Sequence, residues 1–566
     1  MHGGLIALKV PLFDLMNIPS FPPTATGIPA CGGPGFDGWQ CMAPVAGLKK
    51  ARLLEVAAVI VLACAGALQG KDFDVRQYGA AGDGTTMDTA AIQKAVDAAS
   101  AEGGGTVVLA RGTFLSGSID LKSRVTLRVD QDAMLLGSPS RSDYRKLNFY
   151  GLILANEQED VGICGKGVID GQGKRLVADT MRLLAEGKVR DTEPNNRPYA
   201  SVGERPVLIN FRKCRNVTVR DITLRESSCW VQEYRECNGV LIENVTVRTM
   251  AAITNDGLDI DSCSNVVVRG CNIDSEDDGI CLKSGPLPCE NVLVENCRVR
   301  STCNALKFGT ASDKGFRNIT CRNLVIYDTY LSGIALEIVD GGSMENVNIS
   351  NVRMTTTNNP LFIRLGHRNV KVPPGTIKGV TISDVTAEIP NRPRSEMNKF
   401  PEFWRHMCTT LITGSITGLP GHPVRDVTLK NISFTYGGIG DAPKPNHHRF
   451  DRLDKVPECA QNYPESKMFG ILPAWGLFIR HAEGITLENV TLRVTGKDYR
   501  PAITCDDVRS LTLDRVSILS AGTDPLIVLK DVQGASVINC PPPPNTKRFI
   551  EKLGTTGDVG QGVLQK

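Results

Sequence analysis

Aromatic residues are scarce in this chain: Phe, Tyr and Trp make up 5% of its 566 residues. A core built on large rings is thereby excluded, and one of small branched side chains is indicated. An excess of charge is also missing, since 64 Lys and Arg face 61 Asp and Glu. A strongly basic nucleic-acid binder and an acidic disordered chain are both excluded. No apolar run reaches the ~20 residues of a membrane-spanning helix. The eighteen cysteines show no Cys-x-x-Cys spacing of a zinc site. Gly103-Gly104-Gly105 lacks the Gly-Lys-Ser/Thr of a phosphate loop. No cofactor, metal or nucleic-acid partner is expected, and a monomer is.

Glycine, by contrast, is abundant, at 56 residues. The length suggests several domains unless the chain is one solenoid. A repeat supports the solenoid. A polar residue, often Asn, precedes a β-branched strand at Asn216, Asn238, Asn265, Asn291, Asn318 and Asn346, spaced by 22, 27, 26, 27 and 28 residues. Later copies begin at Gly379, Asp426, Gly484 and Ser510. One rung of short strands uses about this many residues, and it buries its apolar face only by stacking on the next. The reading is an all-β, right-handed parallel β-helix, with Gly and Asn at the corners and Val, Ile, Leu and Cys in the bore. Stacked free thiols are the main reading of Cys214, Cys237, Cys263, Cys271, Cys289, Cys297 and Cys321, with disulfides as the alternative. Ile92, Ala95, Val96 and Ala99 recur at helical spacing within 89–100 and predict a short N-terminal capping helix.

The chain divides into an N-terminal extension (1–71), a cap with the first rungs (72–145), the β-helix (146–545) and a C-terminal tail (546–566). Within the extension, Lys49, Lys50 and Arg52 precede an apolar run from Val56 to Ala67. This reads as an export signal starting at Met42, with an extracellular or periplasmic destination, and with a buried helix as the alternative. Cys64 is a weaker candidate for lipid attachment. Two stretches, 386–423 and 438–483, interrupt the repeat and read as groove-shaping loops or as packing insertions.

The chemical signal is Asn255-Asp256-Gly257-Leu258-Asp259 followed by Glu276-Asp277-Asp278-Gly279. Asp277 and Asp278 follow Asp256 by 21 and 22 residues, one rung, so the three gather on one outer face. Asp259 alternates with Leu258 and Ile260 and can join them. Clustered carboxylates separate one another's pKa values, which suits an acid and a base for hydrolysing a glycosidic bond. Adjacent rungs lie closer than the ~6.5–9.5 Å of an inverting pair, so a diagonal pair is required. The competing readings are turn capping and Ca²⁺ binding.

These segments, with Phe73–Gly79, Gly165-x-Gly167-x-Ile169-Asp170-Gly171 and Arg205-Pro206, resemble the polygalacturonase-like enzymes of glycoside hydrolase family 28, over roughly 72–540. The resemblance implies an O-glycosyl hydrolase acting on pectic polysaccharide or oligosaccharide by single displacement with inversion. It makes Asp278 the general acid, with Asp256 and Asp277 holding the water. Large loops walling the groove would favour exo action. Two family segments are altered. Asn304 falls where the family has His, and Ala335-Leu336-Glu337 falls at its Arg-Ile-Lys. Glu337 would repel a uronate, unless Lys307, Arg364 or His367 compensates. Arg364 is equally open to a structural pairing with Glu337. Trp230 either stacks on a sugar or packs on the rung, and Gln232 and Glu233 are candidates for a subsite, as are Tyr327, Asp328 and Tyr330. The alternatives are a hydrolase for another uronic or a neutral sugar such as rhamnose, and a non-catalytic β-helix binding or adhesion module.

Overall fold

The computed structural model describes residues 70–191, 200–391, 411–520 and 524–562. The expected export signal, Met42 and Cys64 lie outside the described residues, as does 392–410 of the first interruption. Among the described residues, no helix is long and apolar enough to cross a membrane.

The coil is a right-handed parallel β-helix. Strand Val207–Arg212 pairs in parallel with Gln232–Arg235, that strand with Leu258–Asp261, and so on through Ile280–Ser284 and Leu306–Ser312. Inward positions stack along the bore: Leu258, Ile280, Leu306 and Ile334 occupy one column, and each is at most 1% exposed. Helix Thr89–Ala101 covers the first rungs with Ala91, Ile92, Ala95, Val96 and Ala99. It hides backbone that the end of a solenoid would otherwise expose.

The corners explain the asparagines. Asn265, Asn291, Asn318 and Asn346 all have φ between 55° and 57°, a region that Asn tolerates better than other residues bearing a Cβ. Each donates its side-chain amide to the Asn one rung before it, at 3.0, 3.3, 3.1 and 2.8 Å. The fourteen described cysteines are free thiols. Cys214 and Cys237 each donate a backbone N–H to the sulfur of the next cysteine in the ladder, Cys237 and Cys263.

Several boundaries differ from the sequence reading. A second helix, Gly173–Ala185, stands beside the coil. The expected tail contains strands Ile550–Leu553 and Val559–Gly562, which pair in register with Ile527–Lys530 and Ala535–Ile538 and complete a last rung. Strand Thr376–Ile389 carries the coil into the first interruption, and Gly414–Thr417 returns to it. The second interruption rejoins the coil at Leu477. It folds onto the outside of the coil, packing Leu453, Val456, Phe469 and Leu472 against Ala335, Phe362 and Phe478.

Candidate active site

The site lies where three successive turns stack. Gly257 donates its N–H to the Asp278 carbonyl (2.8 Å), and Gly279 donates to that of Asn304 (2.8 Å). This register places Asp256 beside Asp278, and Asp278 beside Asn304. The glycine after each aspartate is required by close approach. A Cβ on Gly257 would come within 2.7 Å of the Gly279 carbonyl oxygen, and one on Gly279 within 2.6 Å of that of Ala305. Asn255 locks the first turn by donating to the carbonyls of Cys229 (2.6 Å) and Ser227 (3.1 Å). Buried Arg205 holds the same turn through the carbonyls of Ser228 and Ile253, both at 2.7 Å.

Carboxylate oxygens of Asp256 and Asp278 lie within 4.8 Å of each other, as do those of Asp277 and Asp278. Asp256 and Asp277 both approach Asp278 at their nearest oxygens. Its neighbours converge because their turns stack directly. Burial pushes Asp256 up to about 7, with Lys283 opposing and Asp277 and Asp278 adding to the rise. Burial and then Asp278 push Asp277 up to about 6, with Lys307 opposing. Asp256 and Asp277 therefore hold their protons to higher pH than an ordinary aspartate does.

The surrounding groups fix this cluster. Asn304 donates its side-chain amide to Asp278 Oδ1 at 2.8 Å and accepts the Ser332 N–H at 3.0 Å. Lys307, 1% exposed, places Nζ 3.0 Å from Asp278 Oδ2. Lys283 Nζ sits 2.5 Å from Asp259 and 3.3 Å from Asp256, and 3.7 Å above the ring of Trp230. Asp259 thus joins the site through Lys283. Trp230 flanks it, with one face under that ammonium and its edge against Phe149.

Other expected site residues are placed elsewhere. Gln232 is fully buried, donating to the Gly257 carbonyl and accepting from Tyr234. Strand alternation turns it to the bore side and turns Glu233 outward. Glu233 accepts from Asn148 at 3.0 Å, and burial pushes it up to about 8. Arg364 is 1% exposed and binds the main-chain carbonyls of Gly418 (3.2 Å) and Glu458 (2.6 Å). It ties the second insertion to the coil. The Glu337 carboxyl is not among its hydrogen-bond partners. The ring of His367 is held by the Val372 carbonyl at 2.7 Å. Tyr330 is buried, and Arg298 covers the face of Tyr327. Ala335 lies beneath the second insertion, so that column is sealed.

The insertion adds residues that no periodicity marks. The Tyr463 hydroxyl lies 3.4 Å from Lys307 Nζ, and its ring centroid is 5.2 Å from that ammonium. Glu465 is pushed up by burial, with Lys307 opposing and Asp278 adding to the rise, and it interacts with Asn304. Glu337, fully buried, is pushed well up by burial, with Lys307 again opposing. Arg368, next to the expected His367, pairs with Asp340 at 2.7 Å and faces Tyr463 at 5.9 Å.

Comparisons with known proteins agree with this architecture. The chain is 26% identical over 383 residues to an exo-poly-alpha-D-galacturonosidase of Dickeya chrysanthemi, covering 56% of this chain and 63% of that protein. It is 27% identical over 423 residues to a probable polygalacturonase of Vitis vinifera, covering 68% and 78%. The alignment thus spans less than two thirds of the Dickeya protein. The solved exopolygalacturonase of Thermotoga maritima shares the fold, with a TM-score of 0.53 at 22% identity over 68% of this chain and 91% of that one. A model described as Rhamnogalacturonase A/epimerase, pectate lyase-like, matches residues 73–133. The model for Glycosyl hydrolases family 28 matches residues 104–444, more than half of the sequence and all three clustered aspartates, and the chain belongs to that family.

Proposed function

We propose that the protein hydrolyses a glycosidic bond in a pectic polysaccharide or oligosaccharide by single displacement with inversion. The observation that carries this is the stacked trio Asp256, Asp277 and Asp278, whose carboxyl groups converge on one face of the coil. Such a set supplies both a proton donor and a proton acceptor at one pH. Asp278, oriented by Asn304, protonates the leaving oxygen as the bond to the anomeric carbon breaks. Asp256 and Asp277 take a proton from the water whose oxygen forms the new bond. One proton is given and one taken, so the cluster's charge is unchanged after a turnover. Tyr463 of the second insertion reaches Lys307, and an insertion standing at that place favours attack at chain ends. The basic and apolar run near 49–67 supports export to the cell exterior or periplasm.

The test is release of reducing ends from a panel of pectic polymers, with the first-formed anomer read by NMR. Asp278→Asn is expected to lower the rate by roughly 10²–10⁴ while leaving circular dichroism unchanged. A wild-type rate in that variant, or retained anomeric configuration in the product, would refute the assignment.

A further inference from the structure

Trp230 is fixed beside the trio by short connections. Its carbonyl accepts from the Ser227 hydroxyl at 2.8 Å, and the next N–H, that of Val231, donates to the Asp256 carbonyl at 2.9 Å. Phe149, whose carbonyl accepts from the Asn210 side chain at 3.0 Å, sets its ring 5.0 Å from that of Trp230 at 68°. Lys283 reaches these rings from two rungs further along the coil. Its ammonium is 3.7 Å above the Trp230 ring, 2.5 Å from Asp259 Oδ1 and 3.3 Å from Asp256 Oδ2. Asp259 is fully buried, and its Oδ2 has no hydrogen-bond partner. Of the two carboxylates, it holds the ammonium more closely.

We infer that Trp230 is a positioning residue: its ring face holds the Lys283 ammonium against Asp256, and so keeps that carboxylate ready to take the proton of the attacking water. This rests on the hydrolase reading above. An ammonium has three N–H groups and no acceptor. Asp259 and Asp256 take two, and the face of an indole, the best ring for a cation, takes the third. With an aliphatic side chain in its place, the third N–H would be left buried and unpaired. Lys283 would then turn to water or settle on Asp259 alone. Either movement weakens its attraction for Asp256, because Coulomb energy falls with distance and with hydration. Asp256 also faces Asp277 and Asp278, which add to its rise, and Lys307, which opposes it. Lys283 faces Cys281 besides its two carboxylates. Lys307 is paired with Asp278, so Lys283 is the cation paired with Asp256 itself. Stacking on a sugar is the competing use of the same ring.

The experiment reads the pH profile of kcat/KM on the pectic panel with the full chain, because its acidic limb reports the essential base of the free enzyme. Trp230→Leu keeps an apolar side chain and removes the ring face. Its acidic limb should move to higher pH by roughly 0.5–1 unit, and Trp230→Phe, which keeps a ring face, should move it less. In a Lys283→Met background the same two substitutions should move the limb no further, since no ammonium is left to hold. A raised KM with kcat and limb unchanged would make Trp230 a sugar platform and overturn the inference. An equal shift in both backgrounds would overturn it too. Both results leave the hydrolase reading standing. Emission of Trp230, taken as wild type minus Trp230→Phe, gives a readout that needs neither turnover nor the leucine variant. It should change on Lys283→Met, and an unchanged emission would overturn the inference. No turnover of any polymer by the wild type would defeat the hydrolase reading, and this inference with it.

Discussion

Replacing Lys307 with Met keeps the length of the side chain and removes the charge at the centre of the site. Lys307 is 1% exposed and its Nζ is 3.0 Å from Asp278. At that distance and an effective dielectric of about 20, the attraction is about 5 kcal/mol. Part of this is offset in the native protein by the cost of burying the ammonium, which Met does not incur. Breaking one side of a buried pair typically costs about 3–5 kcal/mol, because the other charge is left uncompensated. The loss should depend on pH. Burial raises Asp256 to about 7 and Asp277 to about 6, and Lys307 opposes both rises. A carboxyl whose folded pKa is raised destabilises the fold once pH passes its unfolded value of about 4, and does so fully above the folded value. Without Lys307 the folded values climb further, so Lys307→Met loses most at pH 8 and above, and the deficit narrows below pH 6. Urea denaturation followed by tryptophan fluorescence at pH 5, 6.5, 8 and 9 measures this. The acidic limb of the kcat/KM profile should also move to higher pH. A deficit below about 1 kcal/mol at pH 8, or one that stays flat from pH 5 to 9, would refute the view that Lys307 acts through its charge.

Two further predictions concern the scaffold. Asn291 has φ 56°, donates to Asn265 and accepts from Asn318; Asn291→Ala should cost about 2–4 kcal/mol from two lost bonds and left-handed backbone, and Asn291→Gly less, because it keeps the backbone comfortable. Equal losses on denaturation would show that backbone conformation contributes nothing there. His481 places its ring nitrogens 3.2 Å from Glu458 and 2.7 Å from Asp507. Burial pulls its pKa down, but the hydrogen bonds to Glu458 and Asp507 outweigh it, and the net shift is upward. A raised folded pKa gives stability that is complete below about 6.5 and lost as pH rises through the folded value. The Tm of the wild type should therefore fall across that window relative to His481→Gln. Parallel Tm curves for the two proteins would exclude His481 as the titrating group.

The corner asparagines, the aliphatic bore and the capping helix were legible in the sequence because each depends on local requirements repeated at a fixed period. Positive φ selects Asn and Gly, and alternation selects Val, Ile and Leu. The aspartates were legible for the same reason, since a spacing of one rung puts them on one face. Asn304 was found through the resemblance, and Lys307 as a residue of the neighbouring rung. Parity was the weak point at Gln232 and Glu233, where either residue of a short strand satisfies the composition and only pairing with Leu258–Asp261 fixes which one faces outward.

The sequence by itself determined the coil, its corners and the trio Asp256, Asp277 and Asp278. Each follows from periodicity, which the chain carries residue by residue. Tertiary structure alone decided which cations remain available and what covers the groove. Arg364 was drawn to the carbonyls of Gly418 and Glu458, and Tyr463 was brought to Lys307 across 156 residues of chain. An aperiodic insertion has no register to read. Its position follows from the apolar faces of Ala335, Phe362 and Phe478 on which it packs.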